Sequence, residues 1–243
     1  MISIKKVIFV LLLICLISTI NAKTYVVSVG ISNYKNINSL VLPDKDAKSV
    51  SDLYKKKTKN VILITGKYAT KAKIIKSLSD QFSRATENDM IVFYFSGHGY
   101  PGGICPYDMS QDITSGLSYA EIKNILKKSK AKKKIIIADS CFSGGLRNNN
   151  SNSSNDNDTS VVLFLSSRTS ETSGENPLMT NGFFTKALLR GLKGGADINH
   201  DKLITAKEIF NFVSKNVQDN SKGKQHPVMW GKFDDRFVIM DWR

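Results

Sequence analysis

The feature that most constrains this chain is an alternation of two kinds of segment. Short runs rich in Val, Ile, Tyr and Phe are separated by longer stretches whose apolar residues recur at helical spacing. The strand-like runs are residues 24–31, 61–65, 90–96, 134–139, 161–166 and 236–240. The helix-like stretches are 44–57, 71–85, 118–129, 182–192 and 206–217, and Ser118-Tyr-Ala-Glu121 opens the third as a capping box. Alternation of this kind predicts an α/β fold in three layers, a mainly parallel six-stranded sheet covered by helices on both faces.

Residues 147–160 break the rhythm. They contain no apolar side chain between Arg147 and Ser160, so they are expected to form a surface loop. All three Asn-x-Ser/Thr sequons of the chain, at Asn149, Asn152 and Asn157, fall there. They read equally as glycan acceptors or as drift in an Asn-rich stretch.

The N-terminus has the layout of a secretory signal over residues 1–22. Lys5 and Lys6 precede an apolar run from Val7 to about Ile20, and Asn21-Ala22 offers a cleavage end. The alternative is a retained anchor, for which the run is short. The expectation is a secreted or luminal protein with no transmembrane segment after signal removal, and one domain over residues 23–243. The net charge of +14 would attract acidic surfaces, but the lysines are scattered, with one cluster at Lys127, Lys128, Lys130 and Lys132 to Lys134. Few aromatics interleave them, so a solvated basic face is expected rather than a specific nucleic-acid site. Beyond residue 22 only Cys105 and Cys141 remain, too few for a disulfide scaffold, and a bridge between them would consume the thiol at a strand end.

Two strand-like runs end alike. Ile91-Val-Phe-Tyr-Phe-Ser-Gly-His-Gly99 delivers His98, and Lys134-Ile-Ile-Ile-Ala-Asp-Ser-Cys-Phe-Ser-Gly-Gly145 delivers Asp139, Ser140 and Cys141. Ligand sites of parallel α/β sheets form outside the carboxyl ends of the strands, and neighbouring strands lie about 4.8 Å apart. Imidazole and thiol can therefore meet across a substrate. Cys141 would attack a carbonyl as thiolate while His98 takes and returns the proton. The backbone N–H groups of Gly99 and Cys141 would hold the developing oxyanion, with Gly99 free to adopt unusual dihedrals. The bland readings are a turn at Gly97-His98-Gly99 and a small buried hydrophobe at Cys141.

These two motifs resemble the histidine and cysteine motifs of the caspase-like cysteine peptidases, particularly metacaspases and their bacterial relatives. Ser166-Ser-Arg-Thr-Ser-Glu171 and Gly182-Phe-Phe-Thr-Lys-Ala-Leu-Leu-Arg-Gly191 are similar to the small-subunit segments of that family. The resemblance covers about residues 24–243 and implies a caspase-like fold, with residues 147–160 between large- and small-subunit-like parts. It also implies an acidic pocket that binds Arg or Lys before the cut, formed by Asp46 and Asp139 with Ser96 nearby. Substrates would be peptides or proteins with basic residues. Leu42-Pro-Asp-Lys-Asp-Ala47 departs from the usual family pattern, and Asp46 reads also as a charge in the first turn of a helix. The resemblance implies no required cofactor. Calcium is the one candidate, yet at the family's acidic cluster the chain offers only Asp108, Asp112 and Glu121. A second candidate is Asp197, Asn199, Asp201, Thr205 and Glu208, at EF-hand ligand positions with the Leu203 carbonyl. There Lys202 replaces the turn glycine, and Thr205 to Glu208 is also a plain capping box.

Two other readings fit the residues. One is a legumain-like peptidase with a different specificity. The other is a catalytically silent secreted binding protein whose basic surface holds an acidic polymer.

Overall fold

The computed structural model describes residues 22–140, 160–166, 181–231, 234 and 236–243. Residues 1–21, the segment 147–159 and Cys141 lie outside them.

Strand β1 (Thr24–Gly30) leads into helix α1 (Pro43–Lys55), β2 (Val61–Thr65) and α2 (Lys71–Phe82). β3 (Met90–Ser96) is followed by three two-residue strands, β4 (Gly99–Tyr100), β5 (Gly103–Ile104) and β6 (Leu117–Ser118), which pair as a small sheet. Helix α3 (Tyr119–Lys128), β7 (Lys133–Asp139) and β8 (Ser160–Leu165) come next, then α4 (Phe183–Arg190), β9 (Leu203–Thr205), α5 (Ala206–Asn220), β10 (Val228–Trp230) and β11 (Val238–Asp241). The main sheet has the order β10-β8-β7-β3-β1-β2, parallel throughout except for β10. It is the α/β, three-layer, mainly parallel six-stranded arrangement expected.

One strand differs from its expected place. The run at residues 236–240 leaves the main sheet as β11 and pairs antiparallel with β9. The sixth position is filled by β10, which lies antiparallel against β8 through Val228, Met229 and Trp230.

Because side chains alternate across a strand, each strand feeds two cores. Val26, Val92, Tyr94, Ile135, Ile137, Val162 and Phe164 pack under α1, α4 and α5. Val27, Val29, Ile91, Phe93, Phe95, Ile136 and Leu163 pack under α2 and α3. The helices supply matching stripes, Ala47, Val50, Leu53 and Tyr54 on α1 and Ile74, Leu78 and Phe82 on α2. Ser118 caps α3 with the reciprocal Glu121 bond read from the sequence. In the basic cluster Lys134 is buried, because the inward alternation of β7 takes it to the core.

Ile135 is fully buried in the centre of the sheet. Ile135→Ala is expected to cost about 2–5 kcal/mol, measured as a lower denaturant midpoint at unchanged slope.

Candidate active site

Strand register builds the site. Gly30, Ser96 and Asp139 are level neighbours at the carboxyl ends of β1, β3 and β7. The Gly97 N–H donates to the Asp139 carbonyl oxygen at 3.2 Å, which holds the two exits together. His98 lies two residues beyond Ser96, and Cys141 lies two residues beyond Asp139 in the chain.

The turn that presents His98 depends on Gly97. Its φ is +154°, and a Cβ there would stand 2.5 Å from the Tyr34 hydroxyl and 2.9 Å from the Phe95 ring. Gly97 therefore carries the conformational demand expected of Gly99, whose φ is negative and which opens β4. The His98 N–H donates to the Tyr34 hydroxyl at 2.7 Å, and the two rings lie 5.1 Å apart at 44°. The imidazole Nε2 is 2.9 Å from the Asn38 carbonyl oxygen. A carbonyl only accepts, so Nε2 carries the hydrogen and Nδ1 is left with the lone pair of the neutral ring. The Cys105 N–H donates to the His98 carbonyl oxygen, and this anchors the loop to β5.

Period two places Ser96 and Asp139 on the same face as Tyr94 and Ile137, the face covered by α1 and α4. Asp46, in the first turn of α1, comes down onto them and is 2% exposed. Its Oδ1 accepts from Asn181 Nδ2 at 2.8 Å and from the Gly182 N–H at 3.2 Å, and its Oδ2 accepts from Ser96 Oγ at 3.1 Å. The Thr185 hydroxyl donates to Asp139 Oδ2 at 2.7 Å. It is 2.5 Å from the Tyr94 hydroxyl, which is left as the donor of that pair. Both Oδ2 atoms face the backbone at Gly182, where an added Cβ would meet Asp139 at 3.3 Å and Asp46 at 3.5 Å. Asp46, Ser96 and Asp139 are thus brought together.

The electrostatics are unfavourable to charge. Burial first, and the Asp139 carboxylate second, push the Asp46 carboxyl up to about 8 against the opposing pull of its three hydrogen bonds. Burial and both carboxylates push the Tyr94 hydroxyl well above its ordinary value. Among the described residues no cation partners Asp46: its contacts there are Ser96, Asn181, Gly182 and Asp139.

Four residues here carried no assignment in the sequence reading: Tyr34, Asn38, Asn181 and Thr185. Thr185 had a signal, being a polar residue on the face of α4 that carries Phe184 and Leu188. Asn38 had none, because it acts through its backbone.

The calcium candidates carry hydrogen bonds to protein groups. Asp197 accepts from the N–H groups of Asp201 and Lys202, Asn199 Nδ2 donates to Asp201, and Glu208 accepts from the Thr205 N–H and hydroxyl at the start of α5. Lys202 adopts the left-handed φ of 66° that a turn glycine would take. Asp108 accepts from the Lys71 N–H, Asp112 from Thr114, and Glu121 from Ser118. Among the described residues no three His, Cys, Asp or Glu side chains gather as a metal site. A cavity of about 650 Å³, lined among others by Lys23, Tyr54, Met90 and Lys133, lies at the amino ends of β1, β3 and β7 and takes no part in this site.

A mainly parallel six-stranded sheet covered by helices on both faces, with His98 and Asp139 at or just beyond adjacent strand ends and Asp46 brought down onto them by α1, is a caspase-like architecture. The chain matches the family model described as "Caspase domain" over residues 23–238, and it belongs to that family of cysteine peptidases. Its fold is similar to the crystal structure of protein GSU0716 from Geobacter sulfurreducens, with a TM-score of 0.67 at 16% identity over 90% of this chain and 98% of that one. No curated protein matches it.

The raised Asp46 fixes the sign of a stability effect. A carboxyl whose folded value lies above its ordinary 3.8 stabilises the protein only while protonated, so that contribution is lost as pH rises from about 4 towards 8. Asp46→Asn is expected to melt at nearly the wild-type temperature at pH 4 and several degrees higher at pH 8. A constant difference across that range would contradict the assignment.

Proposed function

We propose that this domain is a cysteine endopeptidase that cuts after Arg or Lys, with Cys141 as nucleophile and His98 as general acid and base. The observation that carries the specificity is the pair of buried carboxylates at Gly182, one of which, Asp46, has no cation partner among the described residues. A guanidinium or ammonium group entering there supplies the missing charge and hydrogen-bond donors.

Supporting the dyad, the Asn38 carbonyl and the Tyr34 ring hold His98 with Nδ1 as its proton acceptor. In the cycle, the Cys141 thiol gives its proton to His98 and its sulfur bonds to the scissile carbonyl carbon. The carbonyl electron pair moves to oxygen, beside the N–H groups of Gly99 and Cys141. Collapse breaks the C–N bond as His98 protonates the leaving amine. Water, deprotonated by His98, then cleaves the thioester and restores the thiol. No step needs a metal or cofactor.

The domain is proposed to act outside the cytoplasm after removal of residues 1–22, on the strength of the N-terminal pattern. N-terminal sequencing of protein recovered from its native host should begin at or near Lys23. A mature chain starting at Met1 would remove this part of the proposal.

The activity is tested with peptides ending in Arg, Lys, Asn or Asp before a fluorogenic leaving group. Wild type should cleave the Arg and Lys peptides, and Cys141→Ala should lose all turnover. Gly182→Ala, which puts a methyl between the carboxylates at an ordinary backbone φ of −58°, should raise KM for basic peptides at least tenfold. Cleavage after Asn with no basic preference would favour the legumain-like reading.

A further inference from the structure

Asp46 has two unlike oxygens. Its Oδ1 accepts two N–H groups, from Asn181 and Gly182, which can only donate. Its Oδ2 is bonded to Ser96 Oγ, a hydroxyl that can donate to a carboxylate or accept from a carboxylic acid without moving. The site therefore accommodates either protonation state of Asp46 by turning one hydroxyl hydrogen. The proton has one place to reside, Oδ2, on the side that faces Asp139 across Gly182. Asp139 Oδ2 receives the Thr185 hydroxyl, which is backed by the Tyr94 hydroxyl, a donor chain suited to a carboxylate.

We propose that the empty specificity pocket holds a proton on Asp46 Oδ2 and releases it when a basic side chain enters, so that selection of Arg over a neutral residue is itself controlled by pH. This rests on the basic-cleavage reading and concerns the regulation of the same pocket. The exchange balances: one proton leaves to solvent as one guanidinium arrives, the O–H bond of the acid is replaced by N–H donors from the ligand, and Ser96 turns back to donate. Asp46 is charged in the complex and neutral without it.

Among the described residues, the groups around Asp46 are consistent with a single titration. From β3 it faces Tyr94 and Ser96, from β7 Asp139, and from the start of α4 Asn181, Gly182 and Thr185. On its own helix, Asp44 turns away to the N–H groups of Ser32 and Gly66, while Lys45 and Lys48 are exposed and Lys48 pairs with Asp52. On α4, Lys186 is exposed and Arg190 lies over the Phe212 ring. Burial and Asp139 hold Asp46 near 8, so the proton is present throughout the acidic and neutral range.

The test uses agmatine, a guanidinium ligand without a peptide bond, as a probe by calorimetry on the full domain from pH 6 to pH 9, in two buffers of unlike ionisation heat. The dissociation constant should fall about tenfold per unit up to pH 8 and level off above it, with about one proton released per agmatine at pH 6 to 7. Asp46→Asn should bind more weakly above pH 8, with no slope and no proton release. The same slope persisting in Asp46→Asn would assign the effect to another group, such as His98, and overturn the proposal. Pre-titration circular dichroism guards against a misfolded variant. Carbon NMR of the wild-type aspartate carboxyls gives an independent reading: one should titrate near pH 8 and lose that titration with agmatine. Binding of agmatine without pH dependence would overturn this inference and leave the basic specificity standing, whereas no binding at any pH, with no cleavage after Arg or Lys, would remove both.

Discussion

The structure turns on the desolvation of one carboxyl group. A surface aspartate in a first helical turn would be charged and held by the helix dipole. Asp46 occupies that position but is pressed into the sheet against a second carboxylate, where charge is costly and hydrogen bonds alone do not offset it. Such a group lowers the stability of the domain, and the basic side chain proposed to enter beside it would offset that cost. The fold tolerates it because two well-packed cores, one on each face of the sheet, supply the stability that the site withholds.

Geometry makes this arrangement economical. Three strands of equal length end at the same level, so Ser96 and Asp139 become neighbours through backbone register alone. The helix after β1 then has only to carry one side chain down onto them. The close fit of β1 to that helix is visible at Gly30, where a Cβ would stand 2.2 Å from the Pro43 carbonyl oxygen and 2.7 Å from the Ala47 methyl. His98 is placed independently, by a loop from the same β1–α1 connection that supplies Tyr34 and Asn38. Residues 31–42 thus serve the histidine and residues 43–47 the buried carboxylate pair.

Much of this was legible in the sequence, for physical reasons that differ by residue. Strands of a parallel sheet covered by helices read as near-continuous apolar runs, so 61–65 and 90–96 coincide with β2 and β3 to the residue. His98 stood out because a polar side chain ends an apolar run, and Asp46 entered through resemblance rather than pattern. The sixth strand was hidden: Val228–Trp230 has three residues, follows Pro227 and is too short to show alternation. The longer apolar run after it matched the strand template better, yet its partner is β9. Tyr34 and Asn38 were invisible because one packs against a ring brought near by tertiary structure and the other uses only its carbonyl.

The antiparallel strand at the border of the sheet has a consequence for behaviour in concentrated solution. A sheet edge exposes unpaired amide and carbonyl groups on which a strand from another molecule can add, and repeated addition leads to fibrous aggregates. Here the parallel series stops at β8 and is bordered by three residues running the other way. So short a ladder gives an incoming strand little to bind, and proline immediately before it removes one more donor. The border strand thereby discourages sheet growth from that side at a point where the longer β8 would invite it.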